Sequence, residues 1–476
     1  MASTTLLHLH NRGKSDAMEM PPEPSPAEDT SGLDPVFLAD LGDAVEERDG
    51  PWLSRTLNRL HPADAADALE QLSTDDFLGA VDLLGGALPS EILIELRDEY
   101  RERAVETLPD AVVAEALDEL DSDDATAILE DLEDDRREKI LSEIAPGDRA
   151  ALERGLAFDE ETAGRLMQRE VFAAPEFWTV GEAIDHAREQ GKSLPDLFYE
   201  VCIVDPAMKV KGVVALSFLM KTDREIPLTD IMVSLQSDIR GDMDQEEVAY
   251  QFQKYHLAQA PVKDADGRLI GIITVDDMVD VIQDENTEDL LALSNVSSAD
   301  GSDTVWQSVK ARAPWLAINL ITAFFVSGVI ALFAGTLDQI VALAILMPVV
   351  AALGGNAGSQ GLAVAVRAIA EREMEGGAAR RAVLREVLTG VVNGVIFAIG
   401  VGLIAFAWFR DVELGLVIAA AMVATFLWAG LSGILVPLGL KRLGADPAVA
   451  SSVFVLTLTD VVAFFSFLGL ATLVLL

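Results

Sequence analysis

Five apolar stretches after Pro314, at about 315–335, 340–366, 387–409, 414–439 and 448–475, constrain this chain more than any other feature. Each is long enough to cross a hydrocarbon core of about 30 Å at about 1.5 Å per helical residue. Such a core offers no water to satisfy stray backbone groups, so stretches of this kind must be helical. The sequence predicts an all-α membrane domain of five transmembrane helices over 314–476.

The flanking charges give those helices a direction. Lys310 and Arg312 precede the first stretch; Arg367, Arg372, Arg380, Arg381 and Arg385 lie between the second and third; Lys441 and Arg442 lie between the fourth and fifth. The alternate loops carry Asp338 in one case and Arg410, Asp411 and Glu413 in the other. Basic loops belong on the cytoplasmic side, which places the N-terminus inside and the C-terminus outside.

From Lys310 onward ten basic residues meet nine acidic ones, so with the whole chain at −43 the first 309 residues carry −44. An acidic surface of that density repels nucleic acid and anionic lipid and gathers cations, which argues against a nucleic-acid partner. General adaptation to salt is the bland alternative for the bulk acidity, and it does not account for specific acidic constellations. Cys202 is the only cysteine, so no intrachain disulfide framework and no cysteine zinc site is available. Residues 1–32 contain PPEPSPAEDTSG and no apolar run of signal-peptide length, and read as a disordered tail.

Residues 33–161 read as an acidic helical repeat domain. LHPADAADALEQLSTDD (60–76) aligns without gaps on LPDAVVAEALDELDSDD (108–124), and DATAILEDL (124–132) echoes DAADALEQL (64–72). Apolar residues at three- and four-residue spacing supply a packing face, with Asp and Glu on the others. Over 162–284 short helices alternate with β-branched strands in two passes, the second ending GRLIGIITVDDM. This α/β duplication resembles a tandem pair of cystathionine-β-synthase (CBS) regulatory motifs, in the order strand, helix, strand, strand, helix. Such pairs often hold adenosine nucleotides such as ATP through a Ser/Thr and an Asp after the last strand. Thr274 and Asp277 stand there in the second copy, whereas the first has Ala215 and Phe218. Residues 285–313 begin acidic and end basic and amphipathic, and read as a connecting helix into the membrane, with a plain linker as the alternative.

Two features of the membrane part suggest an ion pathway. The second span reads LMPVVAALGGNAGSQGLAVAVRAIA, in which Pro348, Gly354, Gly355, Gly358 and Gly361 interrupt an ideal helix sequence and Asn356, Ser359 and Gln360 offer oxygen ligands. Oxygen ligands suit hard cations. The alternative is a small-residue packing seam between helices. The last span, VFVLTLTDVVAF, buries the carboxylate of Asp460, with Leu456 and Ser452 on the same helical stripe. Intramembrane acids are costly and usually functional. A divalent ion shared by two copies of Asp460 across a two-fold axis, a proton relay, and a protonated Asp460 bonded to a neighbouring helix are the three readings of this residue.

Together, the acidic helical domain, the CBS pair, the helix into the membrane, the five spans, PVVAALGGNAGSQ and GADPAVASSVFVLTLTD resemble MgtE magnesium channels from about residue 33 to the C-terminus. The resemblance implies a homodimer with an Mg²⁺-selective pore on its axis in a prokaryotic cytoplasmic membrane. Asp460 matches the family's pore acid, and Gly355 and Asn356 match its GGN segment, with Gly354 beside them. Ser452 falls where relatives often have asparagine, and Leu456 where a small residue can occur. It further implies that cytoplasmic Mg²⁺ closes the pore by binding between the acidic domain, the CBS pair and the connecting helix. Asp244, Glu246, Asp277, Glu285, Glu288, Asp289 and Asp446 match those regulatory positions, and His256 stands where relatives can carry an acid. No nucleophile–base pair or phosphate-cradling loop is apparent, which argues against an enzyme. A proton- or Na⁺-coupled divalent cation carrier and a membrane-tethered nucleotide sensor are the competing functions.

Overall fold

The computed structural model describes residues 34–191, 194–195, 197–294, 296, 305–374 and 377–476, so the expected N-terminal tail over 1–32 lies outside the described residues. The chain divides into two compact units, one ending at Val275 and the other beginning at Asp276.

The first unit opens with short helices: α1 (Pro35–Glu46), α2 (Gly50–Leu57), α3 (Pro62–Glu70), α4 (Thr74–Leu84), α5 (Ser90–Glu95), α6 (Asp98–Thr107), α7 (Asp110–Glu119), α8 (Ser122–Glu130), α9 (Asp134–Glu143) and α10 (Pro146–Gly155). Their starts are set by local chemistry. Asp34 and Asp49 accept backbone N–H bonds from Val36 and Trp52, each 3.0 Å, and a proline occupies the first turn of α1, α2, α3 and α10. The repeated apolar positions form one core around Leu41, Leu53, Leu69, Phe77, Ile92 and Ile128, all 2% exposed or less. Burial of that face stabilises helices too short to persist alone.

Two matching α/β modules follow. After α11 (Ala163–Leu166), the first comprises β1 (Ala173–Pro175), α12 (Val180–Glu189), β2 (Glu200–Val204), β3 (Val210–Ala215) and α13 (Leu216–Leu219). The second has α14 (Leu228–Ile231), β4 (Ile239–Arg240), α15 (Gln245–Tyr255), β5 (Gln259–Lys263), β6 (Leu269–Thr274) and α16 (Val275–Leu293). In each three-stranded sheet the first strand runs parallel and the third antiparallel to the middle one. The same register shift recurs, between Ile203 and Val204 and between Val262 and Lys263. The duplication read from the sequence is therefore a structural one.

The helical domain meets the first module through direct contacts. Glu170 Oε2 accepts from the Ser122 backbone N–H and hydroxyl at 3.2 and 2.9 Å. Arg165 pairs with Glu130 at 2.6 Å, and the Phe158 ring leaves no room for a Cβ on Gly164. Burial holds Glu130 above the usual carboxylate range although Arg165 pulls the other way.

In the second unit, α17 (Val305–Ala331) and the short α18 (Ala334–Gln339) lead into α19 (Val341–Ala370), α20 (Gly377–Phe409), α21 (Val412–Arg442) and α22 (Pro447–Leu475). The five long helices have the length and composition to cross a membrane. The helix expected over 285–313 is divided: Glu285–Leu293 prolongs α16, the second CBS helix, and 305–313 opens α17. Residues 297–304, which include the whole SSADGSD interruption, lie outside the described residues. Leu343, Val350, Ile418, Met422, Ala463 and Phe467 centre the transmembrane core.

Candidate functional site: a carboxylate at membrane depth

Helix α22 starts at a sharp signal. Asp446 accepts the Ala448 N–H at 2.7 Å, and Pro447 follows it at the first helical position. Asp460 lies fourteen residues further on, about 20 Å along the axis at the usual helical rise. It is half-buried, and among the described residues its carboxylate makes no hydrogen bond or ion pair. The structural reading of Asp460 needs a bond to a neighbouring helix, and the described residues supply none.

The glycine-rich segment beside it is helical throughout, from Val341 to Ala370, across Pro348 and GGNAGSQ. Its glycines serve close approach rather than unwinding. A Cβ on Gly354 would overlap Thr425 Cγ2 and stand 3.2 Å from Thr459 Cγ2; one on Gly358 would lie 3.0 Å from Val455 Cγ1. Gly355 faces Leu456, whose Cδ2 would be 3.4 Å from a Cβ there. This packing seam draws α19 against α21 and α22 and leaves Asn356, Ser359 and Gln360 exposed along the opposite side of α19. The packing seam and the polar side chains, posed as alternative reasons for the segment's composition, occupy two faces of one helix. On the α22 stripe Leu456 is exposed while Ser452 is 7% exposed.

Several residues here carry no sequence signal of their own. Thr459, fully buried, donates to Val455 O at 2.7 Å and lies 3.4 Å from Ser432 Oγ. Thr425 is fully buried with an unpartnered hydroxyl. Glu386, half-buried in α20, sets a carboxylate oxygen 3.2 Å from the Cβ position of Gly361. Glu386 stands next to Arg385 at the start of the third apolar stretch, where a carboxylate beside a basic cluster gives no sign of this contact.

The acids expected to be regulatory fall in both units. Asp244 caps α15, accepting the N–H of Glu246 at 2.9 Å. Thr274, 3% exposed, ends β6 opposite Gln259. Asp277 lies in the first turn of α16. Further along α16, Glu285 and Asp289 are half-buried one turn apart, and Glu288 is exposed. Burial, reinforced by Asp276, raises the carboxyl of Asp280 on the same helix. The end of α16 packs on the transmembrane helices: Ala292 shares an apolar cluster with Leu362 and Val366 of α19 and Ala448 and Val455 of α22. Among the described residues no three His, Cys, Asp or Glu side chains converge with metal-site spacing.

A family profile described as a divalent cation transporter, MgtE, matches residues 347–470. The MgtE intracellular N domain profile matches 60–161 and a CBS domain profile matches 230–284. Magnesium transporter MgtE of Thermus thermophilus is 33% identical over 453 residues, covering 93% of this chain and 99% of the relative. The chain belongs to the MgtE family. Magnesium transporter MgtE of Enterococcus faecalis is 32% identical over 317 residues, 67% of this chain and 70% of its own. A crystal structure of the cytosolic domain of the Mg²⁺ channel MgtE in complex with ATP is 31% identical, with a TM-score of 0.47, covering 51% of this chain and 99% of that one. MgtE membership fits the helical N-terminal domain, the CBS pair and the five apolar helices.

Proposed function

We propose that this chain forms an Mg²⁺-selective channel that admits Mg²⁺ across a prokaryotic cytoplasmic membrane and closes when cytoplasmic Mg²⁺ is plentiful. The observation that carries the reading is Asp460: a half-buried carboxylate in a membrane-length helix, with no hydrogen bond or ion pair among the described residues. Mg²⁺ sheds water reluctantly and is usually held by few carboxylates with several retained waters, so a single acid per protomer suffices. In a homodimer two copies of Asp460 would face the ion together, with Gly354, Gly355, Asn356, Leu456 and Ser452 shaping the surrounding wall.

Closure is assigned to the acidic residues outside the pore. In this reading residues 33–161 and 162–284 form the sensing part, 285–313 the connection and 314–476 the pore domain. Asp244, Glu246, Asp277, Glu285, Glu288, Asp289 and Asp446 take up Mg²⁺ and screen the repulsion within a strongly acidic surface. The packing of Ala292 on α19 and α22 supports a mechanical link from α16 to the pore helices. Thr274 and Asp277 would contact ribose and phosphate if ATP tunes the sensor. The basic loops support a cytoplasmic N-terminus and an external C-terminus.

The test is current through the full chain in planar bilayers, with Mg²⁺ as the only permeant cation and cytoplasmic-side Mg²⁺ varied from micromolar to millimolar. Discrete openings that vanish as that Mg²⁺ rises, and are absent in Asp460→Ala, are expected. Flux that appears only with an imposed proton or Na⁺ gradient would replace the channel with a carrier.

A further inference from the structure

The start of α20 presents two guanidinium groups that no described acid neutralises. Arg381 and Arg385 stand one helical turn apart, both exposed, and among the described residues neither makes an ion pair or side-chain hydrogen bond. Arg367, by contrast, pairs with Glu371 at 2.9 Å. The two arginines border a cavity of about 510 Å³ that continues over Leu384, Leu388, Thr389 and Asn393. Leu384, Leu388 and Val392 are 59%, 55% and 57% exposed, so a basic head is continuous with an apolar stripe running toward the middle of the span. Thr389 spends its hydroxyl on the carbonyl of Arg385 at 3.0 Å, which leaves the arginines as the charged donors of the cavity.

We infer that Arg381 and Arg385 hold the phosphate of an anionic phospholipid whose acyl chain lies along Leu384, Leu388 and Val392. Guanidinium forks match phosphate oxygens bidentately, and basic pockets at a membrane boundary select anionic headgroups. Charge complementarity fixes the occupant: a zwitterionic lipid offers its phosphate with a compensating cation, while a second copy of the chain would have to bring an acid to two unpaired arginines. The site rests on α20 being a spanning helix and is independent of what the pore conducts.

The experiment is native mass spectrometry of the full chain after exchange into equal phosphatidylglycerol and phosphatidylcholine. Wild type should retain about one phosphatidylglycerol per chain with roughly thirtyfold preference, as two basic groups at a membrane surface would supply. R381Q/R385Q should lose the preference, R381K/R385K should keep part of it, and R380Q, which alters a basic residue outside the cavity, should match wild type. Parity between lipids in wild type, or an unchanged R381Q/R385Q, would overturn the site. So would displacement of the lipid by millimolar inorganic phosphate, which would mark a general anion site. In a further arm Leu388→Cys is treated with a bifunctional thiol reagent; Cys202 is fully buried, so only the new thiol reacts. Efficient joining of two chains would show that a second copy covers this face, whereas protection of the thiol by phosphatidylglycerol is the expected result.

Discussion

Gly354 of α19 and Thr425 of α21 are in such close contact that a single methyl group on the glycine would overlap the threonine's Cγ2. Alanine is the better helix former, yet at this position overpacking should dominate. Gly354→Ala should lose about 1–3 kcal/mol, the usual cost of forcing extra carbon into a packed core. Gly400→Ala, with open space around it, should be close to neutral. Thr425→Ser removes the obstructing Cγ2 and should restore much of what Gly354→Ala loses. Thermal unfolding of the four variants in detergent measures the coupling directly, and additive effects would show that the two helices do not meet there.

Asp244 and Asp446 each hold a helix start, so replacing them with alanine removes two things at once. An N-cap lost to alanine costs about 0.5–2 kcal/mol, whereas asparagine caps nearly as well without the charge. Asp244→Asn and Asp446→Asn should keep wild-type stability and shift closure to higher Mg²⁺, while the alanine variants should also melt earlier. Bilayer current against cytoplasmic-side Mg²⁺, with melting curves of the same preparations, separates the roles. An unchanged Mg²⁺ response in both asparagine variants would leave these acids as caps alone.

His256 ends α15 in the left-handed conformation, at φ 52° and ψ 48°, and donates its backbone N–H to Phe252 O. That conformation costs an ordinary side chain about 1–2 kcal/mol and glycine almost nothing. His256→Ala therefore combines added strain with loss of the imidazole. Hydrogen exchange in the last turn of α15 should quicken in His256→Ala and slow in His256→Gly. If His256→Asn, which also tolerates this conformation, gates as wild type, His256 serves through its backbone as a helix end.

The spans were legible because crossing a membrane demands a run of apolar residues whatever the partners are. The CBS modules were legible because their strand and helix order is written twice. The seam around Gly354 was only half legible: the glycines announce close approach, but Thr425, Ser432 and Thr459 lie on other helices and look like ordinary small residues in sequence. Asp446 shows a different limit. Its place before Pro447 is a helix-start signal, and reading it for charge alone hid that duty. The divided connection over 285–313 arises because the acidic half continues the α16 pattern that begins at Val275, and packing of Ala292 on α19 and α22 is a long-range contact that no local period reveals.

Cys202 lies at the centre of β2, fully buried with Val204, Val213, Leu269 and Ile272. Burial, with a smaller contribution from Glu200, pushes its thiol up to about 12. The native chain keeps this proton at pH values where the unfolded chain, with a thiol near its usual value of about 8.5, releases it. Above that value the unfolded state binds fewer protons than the native one, so stability falls as pH rises toward about 12 and the contribution is complete below the unfolded value. At pH 8 the folded protein should therefore resist an aromatic disulfide reagent, and the denatured chain should react at one thiol per chain. Raising the pH to 10 should accelerate only the denatured reaction. Cys202→Ala should lower stability at neutral pH but flatten the alkaline decline, and a wild-type decline equally steep in that variant would assign it to other groups.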